Sequence, residues 1–464
     1  MKRDLLENLR AGDPLTTREQ IRLVAQLSIP SIMAQLSHIV MQYIDASMVG
    51  RLGAAQSASI GLMASSMWLF NGVCNAAVTG FTVQAAQRIG AGEEKNARSI
   101  MMQAFVYAVG FAMLIAAAGA SISGILPGWL GGDRTIIADA SAYFLVYALS
   151  LPFVQLNNLA GGMLQASGNM RIPSILHVLM CFLDVVFNAL LIFPETVLFG
   201  VHIPGAGLGV VGAALGTALA QAVTALLMLF FLLARSPMLH LRRGERLTFD
   251  RRYLFRGLRI ALPIGAERVI MSGAQVMATR IVAPLGTVAI AANSFGVTAE
   301  SLCYMPGYGI AAAAATLIGQ SIGADRKDLT KRLGVLTTAL GIAVMTVSGA
   351  LMFVFAPVMI GIMSPDPAVV ELGARVLRIE AFAEPMFAAS IVCSGVFRGA
   401  GDTLVPSIFN FVSMWGVRLP MAALLAPRLG LVGVWIAMAA DLTVGGILFL
   451  LRLRGKRWME ASKA

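Results

Sequence analysis

The chain states one pattern twice. Pro30 recurs as Pro263, Leu52-Gly53 as Leu285-Gly286, Gly90-Ala91 as Gly323-Ala324, Gly168 as Gly401 and Pro173 as Pro406, each time 233 residues later. Gly209-Val210-Val211-Gly212 then matches Gly430-Leu431-Val432-Gly433 at a spacing of 221, because one loop in the second half is 12 residues shorter. Five landmarks at one offset are hard to produce by chance. The chain is therefore confined to duplicated folds, in which two halves are built alike.

Composition says where such a fold must sit. The chain is 58% hydrophobic and 13% charged, with a mean hydropathy of +0.78. A soluble domain carries about a quarter charged residues. A bilayer core needs about 20 apolar residues per helix, and runs of that kind fall near 22–48, 56–83, 97–126, 136–163, 172–194 and 208–234, then 255–283, 288–319, 331–360, 369–397, 405–427 and 430–452. The expected fold is an all-α integral membrane protein with twelve transmembrane helices in two six-helix lobes, residues 1–235 and 255–464, joined by a basic linker at 236–254. Pro30, Pro152, Pro263 and Pro385 interrupt spans, which membrane helices tolerate when neighbours satisfy the freed backbone groups. The N-terminal stretch before the first span is polar, so no cleavable signal is expected. Cys74, Cys181, Cys303 and Cys393 lie inside apolar runs without paired spacing and read as small core residues.

The net charge of +11 follows from topology. Of the 35 Lys and Arg, 27 fall at the termini and even-numbered loops, three in odd loops (Arg51, Arg134, Arg428) and five in or near spans (Arg268, Arg280, Arg375, Arg378, Arg418). By the positive-inside rule both termini are cytoplasmic. The stretch from Ser236 to Arg259, which joins the halves, carries seven arginines. Such a run suits lipid headgroups and topology better than nucleic acid. An even number of spans per half gives both halves the same orientation. They are then parallel repeats about an axis along the membrane normal, able to enclose a cavity that opens to each side in turn.

The local motifs are specific enough to name a family. The first span reads IPSIMAQLSHIVMQYIDASMVGRLGAA, and the second half holds LPIGAERVIMSGAQVMATRIVAPLGTVAIAAN, VFRGAGDTLVPSIFNFVSMWGVRLP and LGLVGVWIAMAADL. Over residues 20–455 the chain closely resembles the multidrug and toxic compound extrusion (MATE) family. The GRLGA after an aspartate in the first span and the RGAGDT before the eleventh are the more diagnostic pieces. The resemblance implies a monomeric, multi-pass protein of the inner cell membrane, not an enzyme and without a cofactor. It implies antiport of drug-like organic compounds, often cations, against protons or sodium.

A carboxylate in the bilayer core costs about 2.5–3.5 kcal/mol even on a lenient scale, so each is a functional candidate. The candidates are Asp45, Asp184, Glu267, Glu300, Glu380, Glu384 and Asp441. The resemblance points to Asp45, Asp184 and Asn188 as a cation pocket in the N-terminal lobe, with sodium a possible occupant. Many members read Asn-x-x-x-Asp where this chain reads Asp184-Val185-Val186-Phe187-Asn188. Acid and amide have changed places but remain a turn apart. A structural polar pair holding helices together also fits. Asn157, Asn158 and Thr217 could complete the shell, or simply bond between helices. His38 and His177 each stand seven residues before an acid; a proton relay and a water-facing histidine are both open. The second half places Ala278 opposite Asp45 and Val417 opposite Asp184, so the lobes are chemically unequal. There Glu267 and Glu300 are candidates for transport. Glu380 and Glu384 lie one turn apart with Arg378 nearby, so neutralisation by that arginine and a part in transport are both open for them, and Asp441 is expected to pack or gate.

The turns at 165–169 and 398–402 read as glycine-dependent bends. GxxxxGK[ST] is absent, so a phosphate-binding loop is not expected. Two rivals remain. A flippase for a lipid-linked precursor would want several cations lining the cavity, whereas the intramembrane charges of the N-terminal half are largely acidic. An integral membrane transferase would want an aspartate-rich or clustered metal motif, and four scattered histidines do not make one.

Overall fold

Lipid offers no hydrogen bonds, so each spanning backbone must satisfy its own polar groups, and helix is the answer. A computed structural model describes residues 5–198, 201–242 and 249–463. Residues 243–248 of the basic linker, with Arg243 and Arg246, lie outside the described residues. A short helix, Leu5–Ala11, precedes the spans. The first half then runs through Thr17–Gly50, Ala54–Gly90, Glu94–Ile122, Arg134–Ala166, Arg171–Ile192 and Gly209–Arg235. The second runs through Arg251–Val282, Thr287–Gly323, Lys327–Met363, the pair Pro367–Ala381 and Glu384–Ala400, then Leu404–Leu429 and Leu431–Arg454. These helices stand, in order, where the twelve spans are expected. Nine are long and apolar enough to cross a membrane on their own among the described residues. The others are the second, the seventh and the divided tenth.

Only one of the four prolines breaks its helix. Pro30, Pro152 and Pro263 lie inside continuous helices. At Pro385 the tenth span ends at Ala381 and restarts at Glu384, with the proline in the first turn of the new helix. A proline there needs no N–H partner. The twelve residues that lengthen the first half's loop hold a departure from helix: Glu195–Leu198 pairs antiparallel with Val201–Pro204.

The outward surface is apolar. Leu114, Val354 and Leu424 are 66%, 65% and 72% exposed in the middle of helices, as lipid-facing side chains must be. This is a multi-pass membrane protein.

By contact the chain forms two compact units. One holds residues 37–85 and 93–261; the other holds 1–36, 86–92 and 262–464. In the first, the fourth span buries Ala140, Phe144, Ala148 and Leu151 completely, a stripe at helical spacing. Phe144 meets Phe70 of the second span edge to face at 5.5 Å. In the second unit the core gathers on Trp435 of the twelfth span, whose indole N–H donates to Asn293 Oδ1 at 3.0 Å. Gly296 makes room for that ring, since a Cβ there would fall 2.7 Å from it.

The repeat is visible inside the second unit. A Cβ on Gly90 would collide with the backbone oxygen of Gln320, and one on Gly323 with that of Gln87. Gly90 and Gly323 are repeat partners, and so are Gln87 and Gln320. The contact is therefore reciprocal, as a two-fold relation between copies requires. The bends fit the same scheme: Gly168 and Gly401 both adopt positive φ, 91° and 83°, where a side chain would be strained. Asp402, beside the second bend, is bonded by Arg452 Nε at 2.8 Å. Burial pushes its carboxyl above the usual range, while the guanidinium works against that.

Candidate functional site

The fifth and sixth spans approach closely because the sixth offers glycine where they cross. Gly212 and Gly216 are four residues apart, on one face, and Ala220 continues the row. A Cβ at Gly212 would strike the Leu191 backbone, and one at Gly216 would strike the Asn188 amide. Small residues at this spacing let helix backbones come together. Here they also fix where Asn188 points.

Asn188 joins the two acids. Its Nδ2 donates to Asp45 Oδ1 at 3.0 Å, across 143 residues of chain, and to Asp184 Oδ2 at 3.1 Å, one turn back on its own helix. Asp184 is 0% exposed and Asn188 1%. Asp184 Oδ1 and Asn188 Oδ1 are buried without a hydrogen-bond partner. Thr217, next to Gly216, lies against the Asp184 carboxylate. Tyr143 of the fourth span and Cys181 of the fifth are electrostatic neighbours of both acids.

The fourth-span asparagines behave differently from each other. Asn157 donates to Gln221 Oε1 at 3.0 Å and approaches the Met180 sulfur at 3.7 Å, leaving its own Oδ1 buried and unpartnered. Among the described residues no hydrogen bond joins Asn158 to the acids. Gly216, Gln221 and Tyr143 escape sequence reasoning. The glycine spacing beside Thr217 was the available signal for the first; nothing in the linear order marked the other two.

The second unit has two acidic groupings. Glu267 accepts from Ser407 Oγ at 2.6 Å and from Asn410 Nδ2 at 2.8 Å, so the seventh and eleventh spans are bonded together there. Glu300, Glu380 and Glu384 form an electrostatic group that reaches Asp441. Ser413 donates to the Asp441 carboxylate, and Arg418 lies 3.9 Å from it. Arg418 also faces Glu300 and Glu380. Both oxygens of Glu380 and of Glu384 are buried without a hydrogen-bond partner.

Neutralisation by Arg378 is not found. Arg378 donates to the Phe353 carbonyl at 3.3 Å and stacks 5.7 Å over the Phe353 ring. The cation at the tenth-span acids is instead Arg418 of the eleventh span. Arg378 and Glu380 share one helix but stand two residues apart, which puts them on different faces, and Glu384 lies beyond the break, in the next helix.

Comparison with known proteins places the fold. A probable multidrug resistance protein NorM of Thermotoga maritima is 28% identical over 441 residues, covering 93% of this chain and 92% of its own. Two solved structures share the fold. An outward-facing multidrug resistance MATE family transporter superposes with a TM-score of 0.88 at 20% identity, covering 98% of each chain. The Vibrio cholerae MATE transporter VcmN in the bent form gives 0.85 at 20% identity, over 96% of this chain and 98% of its own. The MatE family model matches residues 30–190 and 263–424, one stretch in each copy of the repeat. With both halves matched and the twelve spans in order, the chain belongs to the MatE family.

Proposed function

We propose that the protein is a secondary active exporter that moves organic, often cationic, compounds out of the cell against protons by alternating access. The observation that carries this reading is the single amide of Asn188 holding Asp45 and Asp184 from two different helices. Two carboxyl groups on one bridge respond together when either gains a proton or meets a cation. A proton arriving from outside neutralises the pair and weakens its hold on a cationic substrate; losing the proton inside restores that hold. Coupling is this difference in affinity between states. The relatives' names support a small-molecule substrate, the charge bias supports cytoplasmic termini in the cell membrane, and the repeat supports lobes at 1–235 and 255–464.

One observation favours sodium as the second reading. Asp184 Oδ1, Asn188 Oδ1 and Asn157 Oδ1 are all buried without partners, and sodium takes hard oxygen ligands of this kind. Efflux from proteoliposomes under proton and sodium gradients, imposed separately, tests both. The proton reading expects an uncoupler to stop efflux at constant sodium, and sodium removal to leave it intact. Efflux that follows a sodium gradient alone overturns the ion assignment.

A further inference from the structure

Two histidines beside the N-terminal acids have no part in the scheme above. His38 lies on the first span seven residues before Asp45, and His177 on the fifth seven residues before Asp184. Seven residues are two helical turns, about 10 Å along the same face. Each ring therefore stands on its acid's side of the helix, displaced toward the end bearing Thr17 or Arg171. The charge bias makes that end cytoplasmic. The tertiary fold adds the cross-helix links. His38 lies in the electrostatic field of Asp184, and His177 in that of His38. Tyr143 and Cys181 face the acids from the fourth and fifth spans. Among the described residues neither imidazole has a hydrogen-bond partner, yet neither ring is among the sealed, unpartnered polar groups. Both rings are partly exposed, so their nitrogens are within reach of a water-sized molecule.

We propose that His38 and His177 form the route by which the Asp45–Asp184 pocket passes its proton to the cytoplasmic side. The inference rests on the proton reading. In the first hop an O–H bond of the protonated carboxyl breaks and an N–H bond of His38 forms, through a chain of water molecules, leaving a carboxylate. The His38 imidazolium then gives up a proton, again through water, to His177, whose ring releases it to cytoplasmic water. One proton moves and no other atom changes place. Imidazole suits this because it takes a proton on one nitrogen and releases one from the other.

The test uses the full chain in proteoliposomes, with ethidium as substrate and a pH dye on the cytoplasmic side. His38→Gln and His177→Gln are expected to slow proton-driven efflux about a hundredfold or more, the scale of a lost proton-transfer group. Ethidium binding to the purified variants should be unchanged. Added imidazole should restore part of the rate to His38→Ala and His177→Ala, which a packing role would not allow. Wild-type efflux by both glutamine variants overturns the relay. So does an equal loss of binding and rate that imidazole does not relieve. Asp45→Asn, measured alongside, separates the two ideas: if it still exports on a proton gradient, the pocket reading fails and the relay with it. If it does not export while the histidine variants do, only the relay is rejected. Should a glutamine variant fail to insert, diethyl pyrocarbonate on a chain with His202→Gln and His240→Gln decides. Modification is expected to stop efflux but spare ethidium binding, and an unchanged efflux rate overturns the proposal.

Discussion

Gly216→Ala is the sharpest perturbation of the site, because it touches neither acid. A methyl built there would overlap Asn188 Oδ1 and stand 2.9 Å from the Asn188 backbone nitrogen, inside the 3.0 Å that real Cβ atoms respect. The backbone is held by the fifth–sixth span contact at Gly212, so the amide must turn aside. It then gives up its bonds to Asp45 and Asp184 at 3.0 and 3.1 Å. Overpacking alone costs about 1–3 kcal/mol. Each hydrogen bond to a charged carboxylate is worth about 1.5–3 kcal/mol, so losing both sets an upper bound of about 3–6 kcal/mol. Even about 1 kcal/mol, the lower end of the overpacking cost, corresponds to about a fivefold change in an equilibrium, and initial efflux rates should fall by at least that factor. The informative assay is a double-mutant cycle with Asn188→Ala, read as efflux from proteoliposomes at matched protein density. Asn188→Ala removes the side-chain atoms that clash and leaves only the 2.9 Å approach to the backbone nitrogen, so Gly216→Ala should cost less on that background, with a coupling of about 1 kcal/mol or more. Additive losses, or wild-type transport by Gly216→Ala alone, would refute the argument that the glycine acts by aiming the amide.

Other outcomes are expected. Asp45→Asn keeps the side chain's shape while removing the titrating proton, so gradient-driven efflux should disappear with near-normal membrane insertion; wild-type transport would remove Asp45 from the mechanism. Asp184→Asn with Asn188→Asp restores the commoner family order and should keep more activity than Asp184→Asn alone, as measured by the same efflux assay. Gly90→Ala and Gly323→Ala each drive a methyl into a backbone oxygen and should lower thermal stability by about 1–3 kcal/mol. Gly110→Ala, which meets nothing within 4 Å, serves as the neutral control, and equal melting temperatures for all three would contradict the reciprocal contact.

Particular residues show how far the linear reading reaches. Asp184 and Asn188 could be paired from their spacing alone, because four residues on a helix share a face. Asp45 could not be tied to them by spacing, since 143 residues separate it from Asn188; the link came only through family resemblance. Arg378 shows the opposite error. Its closeness in sequence to Glu380 and Glu384 suggested an ion pair, but two residues along one helix point Arg378 and Glu380 to different faces, and Glu384 opens a new helix after the break. Pro385 was visible as an interruption. That it alone among the four prolines ends a helix depends on its place in the first turn of a new one.

What the sequence determined by itself are quantities that run along the chain: apolar run lengths, the 233-residue offset, the bias of arginines and lysines, and a short roster of carboxylates too costly to be idle. These set the membrane location, the twelve spans and the two alike halves, because insertion depends on run length and duplication on order. The tertiary structure alone decided which of those carboxylates meet. That depends on how each helix is rotated about its own axis and how near its neighbour comes. Here both are set by two glycines on the sixth span, whose missing side chains let the fifth span close in and turn Asn188 toward Asp45.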